Sequence, residues 1–271
     1  MNARAEAASN DIEVEQRQDG ITVVCLNRPQ LRNAMSLAMW RQLASVVTSL
    51  GRDPNVRSII LTGAGGSFCA SADISEFSVL RATPDGGSAY AAAVDGAEQA
   101  IVNCPKPTVA AIAGACVGGG LALAVSCDFR FADPSAYFAV PAARLGIVYG
   151  VTETRLLVSA VGATRAKEIL FSGRRFDAGA AAAIGLATHP VVTADNGGVR
   201  AAALAFAATL ATSAPLTIAG AKLIIGALVD GEMAERAARI DAILQASIVS
   251  ADYKEGVAAF TEKRAPRFTG A

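Results

Sequence analysis

The first part of the chain alternates short apolar runs with amphipathic stretches. Residues 12–17 alternate apolar and polar side chains, residues 19–20 are an Asp-Gly pair, and residues 21–26 resume as a run rich in β-branched side chains. Two such runs around an Asp-Gly pair predict a β-hairpin. Ser36 then offers an N-cap to a helix that is predicted to continue to Leu50 with its apolar residues on one face.

The rest of the chain contains further short apolar runs and then a long region with a helical pattern. Short apolar runs predict strands over residues 56–62, 109–112 and 129–132, and an alanine-rich run predicts a helix over residues 89–102. Everything from Thr152 onward is predicted to be helical. Strands that alternate with helices indicate an α/β fold, and periodicity alone leaves an ordinary doubly wound sheet open.

Three consecutive glycines, Gly118 to Gly120, lie at the centre of the stretch from Thr108 to Asp128. A β-branched, apolar opening followed by glycines and an alanine- and leucine-rich run predicts a buried strand, a tight turn and the start of a helix. The first amides of a helix have no intrahelical partner, and the helix dipole adds partial positive charge there. Because glycines let a polarised oxygen approach these amides closely, the turn has the composition of an oxyanion hole.

Two segments without charge are long enough to raise the question of a membrane span. In residues 107–127 the glycine triplet, and the prolines at 105 and 107, favour a strand, a turn and a helix instead. Residues 201–221 are interrupted by Pro215, which predicts two packed helices. No membrane partner is therefore predicted.

The amino-acid composition argues against several kinds of binding partner. The 271 residues include 24 Lys and Arg against 24 Asp and Glu, a balance that suggests neither nucleic acid nor an anionic membrane as a partner. Five cysteines without a C-x-x-C pair predict reduced thiols in a cytoplasmic protein. A single histidine and no ligand cluster argue against a metal site. Residues 1–11 lack the apolar core of a signal peptide and are predicted to form a flexible extension.

Several motifs follow one another between Ile12 and Phe268: Asn27-Arg28-Pro29 with Asn33-Ala34, Phe68 to Ile74, Ala113-Gly114 before Gly118 to Gly120, Cys127-Asp128, Phe138 to Gly146, Leu170 to Phe176, and Glu262-Lys263-Arg264. Together, and in this order, they resemble the motifs of the crotonase (enoyl-CoA hydratase/isomerase) superfamily. The resemblance implies an α/β fold with a crotonase-like ββα spiral core over residues 12–198. It also implies a C-terminal helical region, 199–271, that mediates assembly into homotrimers or homohexamers.

The resemblance further implies a site for an acyl-CoA thioester, with coenzyme A as part of the substrate and no separate cofactor. The amides of Ala72 and Gly119 would hold the thioester oxygen, since an enolate or tetrahedral oxygen needs two preorganised donors. Ser71 stands where many relatives carry glycine, a departure that does not remove the amide. The motifs imply further substrate-binding positions at Gln30, Leu31, Arg32, Ala70, Asp73, Ile74, Gly118 and Lys263. The residues alone leave open that both turns are only structural.

The acidic side chains that would move protons are missing from their usual places. Hydration in this family uses two glutamates, and this chain carries Ala122 and Ala142 at the matching positions, which line the implied acyl site. A third position, which some isomerase and dehalogenase relatives use for a carboxylate, is Gly150. Because general acid–base catalysis contributes about 10²–10⁴ in rate, ordinary hydration is expected to be lost.

Glu153 is the remaining candidate for proton transfer. It lies just beyond the empty third position, where a shifted loop could aim it at the acyl chain as a lone base. Thr152 followed by an acidic residue is equally the pattern of an ordinary helix start. Tyr149, also implied to line the site, is expected to pack its ring and wet its hydroxyl. Two functions therefore stay open: an enzyme that isomerises or otherwise enolises an acyl-CoA, or a protein that binds acyl-CoA without chemistry.

Overall fold

The computed structural model describes residues 11–80, 82–193 and 197–271, so all but the last residue of the predicted N-terminal extension lies outside the described residues. The strands are β1 (Ile12–Gln16), β2 (Ile21–Leu26), β3 (Ser58–Gly63), β4 (Thr108–Ile112), β5 (Ala115–Val117), β6 (Phe129–Ala132), β7 (Tyr137–Ala139) and β8 (Phe176–Asp177). The helices are α1 (Leu37–Arg52), α2 (Phe77–Leu80), α3 (Pro84–Val102), α4 (Gly119–Ser126), α5 (Ala142–Leu145), α6 (Val151–Ser172), α7 (Ala178–Ala183), α8 (Gly198–Ala211), α9 (Pro215–Asp230), α10 (Met233–Val249) and α11 (Ala251–Glu262).

Five strands form one sheet in the order β1-β2-β3-β4-β6. β1 and β2 pair antiparallel with Ile12 opposite Leu26, which confirms the predicted hairpin. The other neighbours in this sheet pair parallel. The segments that follow β3 and β4 therefore leave the sheet at the same edge, which is where ligands bind in many α/β folds.

Three short strands, β5, β7 and β8, form a second sheet. β7 and β8 pair antiparallel, with Phe138 opposite Phe176. The prediction that everything beyond Thr152 is helical is therefore wrong at β8. The pairing buries the ring of Phe176, and this tertiary contact overrides the helical pattern around it.

The predicted helices are confirmed with shifted ends. α1 begins after Ser36, whose hydroxyl accepts a hydrogen bond from the Met39 amide at 3.2 Å. α3 begins at Pro84, earlier than the apolar pattern predicted, because Thr83 supplies a side-chain cap and proline is favoured in a first helical turn. Helix boundaries thus follow the caps rather than the apolar stripe.

α8 and α9 are separate helices on either side of the break before Pro215, as predicted. Within the described residues, no single helix is long and apolar enough to cross a membrane. The α8–α9 pair passes that test of length and composition only when its two helices are taken together, and they meet at 106°.

Buried side chains lie on both faces of the five-stranded sheet, as expected from the alternation of side chains along strands. A larger cluster packs α1, α3 and α4 against one face, and a smaller cluster packs α8 against the other. The mixed α/β fold with C-terminal helices is therefore confirmed. The larger cluster surrounds the candidate site and holds its backbone in place.

Candidate active site

A cavity of about 560 Å³ lies between the glycine triplet and helices α3, α5 and α6. Its lining comes from Trp40, from within residues 71–77 and 87–95, from the pair Gly118-Gly119 and from within residues 140–153. An apolar concavity of this size with a few polar groups is typical of a small-molecule site.

One end of the cavity is formed by the Ser71-Ala72 segment and the start of α4, and we call it the amide wall. Main-chain hydrogen bonds fix the first segment, because the Met35 amide donates to the Ser71 carbonyl at 2.9 Å and the Asp73 amide donates to the Met35 carbonyl at 2.8 Å. A Cβ built on Gly119 would lie 3.6 Å from the Ala72 nitrogen. The two residues singled out as oxyanion donors are therefore close neighbours.

Ser71 occupies part of the amide wall itself. Its φ of 105° lies in the region that favours glycine. Its hydroxyl accepts a hydrogen bond from the Gly119 amide at 3.2 Å. The Ala72 amide, in contrast, donates to none of the residues that the structure describes. The sequence did not reveal this contact, in which Ser71 leaves the Gly119 amide in place but satisfies it with its hydroxyl.

The two alanines at the hydratase positions lie differently with respect to the cavity. Ala142 lines it at the beginning of α5. Ala122 is fully buried inside α4 and does not line it, because packing encloses its methyl group. The implied place of Ala122 in the ligand site is therefore corrected, whereas Ala142 is positioned to touch a ligand.

Tyr149 lines the cavity with a half-buried ring. Its hydroxyl donates a hydrogen bond to the Gly118 carbonyl at 3.1 Å. The expectation of a wet hydroxyl is wrong, because this bond ties it to the glycine triplet. Burial raises the pKa of Tyr149 well above its usual value, and the nearby carboxyls of Glu98 and Glu153 act in the same direction.

Asp95 and Glu153 line another side of the cavity, and together with the buried Glu98, which does not line it, they form what we call the carboxyl wall. Glu153 belongs to the first turn of α6, and its carboxylate folds back over Gly150. A Cβ built on Gly150 would overlap Oε2 of Glu153 and lie 2.7 Å from its Cδ. The carboxylate thus occupies the space where a side chain at the empty third position would begin.

The surroundings of Glu153 change its acidity. Burial raises the pKa of its carboxyl, a hydrogen bond from its own amide opposes this, and the charge of Asp95 raises the pKa further. Asp95 accepts a hydrogen bond from the Thr152 hydroxyl at 2.6 Å, which ties α3 to the start of α6. A buried carboxylate with a raised pKa is the form in which proteins tune a general base.

Glu98 was missed by the sequence reasoning. It lies on α3, is fully buried, and neither of its carboxyl oxygens has a hydrogen-bond partner among the described residues. Burial raises its pKa to about 9, and the charges of Glu153 and Asp95 act in the same direction. The signal was present, because Glu98 shares a helical face with Val94 and Ile101, where the pattern requires an apolar residue.

The segment implied to lie along coenzyme A is at the surface next to the amide wall. Gln30, Leu31 and Arg32 are exposed. The Ala70 amide donates to the Arg32 carbonyl at 3.0 Å, which joins this segment to the strand end that leads to Ser71. The structure therefore brings these four positions together.

Asp73 and Ile74 continue this surface. The Asp73 carboxylate accepts hydrogen bonds from the Ser75 hydroxyl at 2.6 Å and from Arg28 at 3.1 Å. The bond from Ser75 is the main reason that the pKa of Asp73 is lowered. Ile74 is 57% exposed and lines the cavity mouth, so it is the member of this pair that a ligand would contact.

Lys263 lies apart from these positions. It is exposed at the C-terminal end of α11, where its amide donates to main-chain carbonyls of the same helix. In the described part of the chain, no hydrogen bond or ion pair joins Lys263 to residues 30–32 or 70–74. The structure thus does not bring this implied phosphate partner to the cavity.

Thiol chemistry has no support at this site. All five cysteines are free, and burial raises the pKa of Cys69, which precedes the amide wall, to about 12. A thiol in that state is not a nucleophile at neutral pH.

Within the described ranges, no group of three or more His, Cys, Asp or Glu side chains is arranged to hold a metal ion.

Comparisons with known proteins agree with the motifs. Residues 16–271 match the family model described as enoyl-CoA hydratase/isomerase. The chain is 34% identical over 259 residues to the mitochondrial methylglutaconyl-CoA hydratase of Mus musculus, covering 95% of this chain and 82% of that protein. It is 36% identical over 256 residues to the mitochondrial enoyl-CoA hydratase domain-containing protein 2 of Bos taurus, covering 93% and 85%.

A solved structure shows the same similarity in three dimensions. The crystal structure of an enoyl-CoA hydratase from Bacillus anthracis matches with a TM-score of 0.88 at 30% identity, over 97% of this chain and 100% of that one. Since the family model covers nearly the whole chain and the fold agrees, this protein belongs to the enoyl-CoA hydratase/isomerase family of the crotonase superfamily.

Proposed function

We propose that the cavity binds an acyl-CoA thioester and stabilises its enolate, with Ala72 and Gly119 as amide donors and Glu153 as the group that moves the proton. The observation that carries this proposal is the Glu153 carboxylate, which fills the space over Gly150 in the cavity that also holds the amide wall. Family membership supports a thioester as the ligand class.

The amide wall would act on the thioester oxygen. When a proton leaves the α-carbon, negative charge gathers on this oxygen, and two donors fixed by the backbone stabilise it without reorganisation. In other enzymes, losing one such donor costs about 2.7–4 kcal/mol. The Ser71 hydroxyl would turn away from the Gly119 amide as the oxygen enters.

Glu153 would take the α-proton as a carboxylate and return it to the γ-carbon as a carboxylic acid. The result is a shift of the double bond, and one carboxyl group suffices because the carboxylic acid formed by the first transfer, whose proton exchanges with solvent, is the proton donor for the second. The raised pKa of Glu153 makes it a stronger base than an exposed glutamate. Hydration needs a further group to position and split water, and the alanines at positions 122 and 142 cannot do this.

A second candidate function is binding of acyl-CoA without turnover. One observation favours it: the Ser71 hydroxyl already satisfies the Gly119 amide, which leaves one unsatisfied donor for the oxygen. Each ligand would then have to compete with the serine for the second hydrogen bond.

Exchange of the substrate's α-hydrogen with solvent deuterium distinguishes these two functions. The protein is incubated with a 3-enoyl-CoA in deuterated water, and deuterium at the α-carbon is followed by mass spectrometry. Loss of the conjugated absorbance of crotonyl-CoA measures hydration in parallel. We expect exchange without rapid hydration, and we expect Glu153→Gln to abolish exchange. Glu235→Gln, an exposed glutamate in the first turn of α10, is the matched control.

The other outcomes are equally informative. Tight binding by calorimetry with no exchange would favour the binding protein. Rapid loss of the crotonyl-CoA absorbance would contradict the loss of hydration. No binding of any acyl-CoA would refute both functions.

We also propose that the C-terminal helices mediate self-association into trimers or hexamers. Large apolar side chains lie exposed on α9, α10 and α11, including Leu228, Val249 and Phe260. Exposed apolar surface of this kind is typical of contacts between protein chains. Light scattering should give a multiple of the chain mass of 27.5 kDa, and a monomer at all concentrations would refute this.

A further inference from the structure

Glu98 lies one helical turn beyond the part of α3 that lines the cavity. Ala91, Val94 and Asp95 line it, and Glu98 follows them by seven, four and three residues, which places all four on one face of the helix. Helical side chains lean toward the N-terminus of their helix. The Glu98 side chain therefore leans back toward Val94 and Asp95, and so toward the cavity.

No described group compensates a charge on Glu98. The side chain is fully buried and both oxygens lack a hydrogen-bond partner. α4, which packs beside α3, carries no ionisable side chain. α1, which packs against another side of α3, carries Arg41 and Arg52 at exposed positions. Lys222 of α9 reaches the C-terminal end of α3, but it pairs with Asp128 at 2.8 Å.

The ionisable groups whose charges act on Glu98 are acidic. Glu153 of α6 and Asp95 of α3 both disfavour the ionisation of Glu98. Tyr149 is also close, since a charge on Glu98 would oppose ionisation of the Tyr149 hydroxyl. Two carboxyls that share a poorly solvated site cannot both ionise at low cost, so the more buried one keeps its proton. Glu98 is that group.

We propose that Glu98 and Glu153 form a pair that holds one proton, in which Glu98 is the neutral carboxylic acid that lets Glu153 ionise. The proposal rests on the function proposed above. Glu98 is a positioning residue, because the α-proton moves between substrate and Glu153 and never to Glu98. With Glu98 neutral, Asp95 is the acidic group whose charge still acts on Glu153, and no charge on Glu98 opposes the developing enolate.

Stability as a function of pH tests the protonation state without any substrate. The pKa of Glu98 is about 9 in the folded protein and 4.5 without the fold, so the folded state binds more protons between these values. The wild-type protein therefore loses stability as pH rises through this window. Glu98→Gln cannot ionise, so we expect its melting temperature to rise relative to that of the wild type as the pH increases from about 5 to about 9. The unfolding constant of the wild type should rise relative to the variant by up to about tenfold per pH unit.

The control is Glu235→Gln, which removes an exposed carboxyl and reports any general effect of a Glu-to-Gln change. A Glu98→Gln difference that follows that of the control at every pH would overturn the proposal. Should that variant fail to fold, carboxyl NMR of the glutamate-labelled wild type replaces it. One carboxyl should then titrate near pH 9 and shift downward in Glu153→Gln, and an unshifted or ordinary titration would overturn the pair.

The pH profile of deuterium exchange tests the positioning role. We expect Glu98→Gln to keep deuterium exchange at the substrate α-carbon near neutral pH. In the wild type, ionisation of Glu98 should lower the exchange rate on the alkaline side, and this decline should be absent from the variant. An alkaline decline that persists in the variant would refute the role. If the wild type shows no exchange while the stability difference grows with pH, the pair stands as a titrating unit and its role in catalysis falls with the proposed function.

Discussion

The amide wall and the carboxyl wall of the cavity are built in different ways. In the amide wall, the donors are main-chain groups, and hydrogen bonds to Met35 hold the segment that carries Ala72. In the carboxyl wall, the acids are side chains on α3 and α6, and burial raises the pKa of both Glu98 and Glu153. The fold fixes the first wall, whereas the second depends on which side chain fills the space over Gly150. Under the proposed function, the proton carrier is therefore a side chain supplied by another position in the sequence, whereas the amides belong to the backbone of the fold.

The largest expected effect comes from removing the acid. Glu153→Gln keeps the shape of the side chain but cannot accept a proton, so α-deuterium exchange should fall about 10²–10⁴-fold. Acyl-CoA affinity, measured by calorimetry, should stay close to that of the wild type because the amide wall is untouched. Unchanged exchange would show that the carboxyl wall does not move protons.

Restoring the glutamates of the hydratase positions sharpens the comparison through stability. Ala122 is enclosed in α4 and Ala142 lines the cavity. Ala122→Glu should therefore lower the free energy of unfolding by about 3 kcal/mol or more, while Ala142→Glu should stay within about 0.5 kcal/mol. Urea unfolding followed by circular dichroism measures both, and equal small effects would mean that Ala122 faces open space.

Gly150→Ala tests whether the Glu153 carboxylate must lie where the structure places it. The new methyl group would overlap this carboxylate, and a displacement of about 1 Å can cost about 10²-fold in rate. Gly96→Ala is the matched control, since a Cβ there meets nothing within 4 Å. Full exchange activity in Gly150→Ala would contradict a role for this position of Glu153.

The smallest effect concerns the amide wall. Ser71→Gly removes the hydroxyl that satisfies the Gly119 amide, and glycine suits the φ of 105°. The net value of one hydrogen bond is about 0.5–1.5 kcal/mol, so acyl-CoA should bind roughly 2- to 10-fold more tightly by calorimetry. Ser71→Ala should show a similar gain, because it also lacks the hydroxyl. Weaker binding in both variants would mean that the serine hydroxyl assists the ligand.

Local patterns in the sequence predicted most of the main elements of the fold and the turn at Gly118 to Gly120, whereas Ala72 came from the resemblance to the family. A β-branched run before Gly118 to Gly120 predicts where a strand ends and a helix begins, and Ser36 marks the start of α1. The strand β8 could not be predicted, since it exists only through its pairing with β7. The acidity of Glu98 is equally non-local, because it depends on residues of α6 that are far away in the chain.

The contact between Ser71 and Gly119 joins two segments that are distant in sequence, and only the packed structure shows it. Ser71 stands out in the sequence because many relatives carry glycine at this position, but the sequence could not show what its hydroxyl contacts. For this reason the sequence predicted Ala72 and Gly119 as donors but could not show that the Ser71 hydroxyl satisfies the Gly119 amide.

A crystal structure with a bound acyl-CoA tests the central claim most directly. We expect the thioester oxygen at about 2.7–3.1 Å from the amide nitrogens of both Ala72 and Gly119, with the Ser71 hydroxyl turned away and the α-carbon facing Glu153. A thioester oxygen bound elsewhere, with the hydrogen bond between Ser71 and Gly119 intact, would contradict the account.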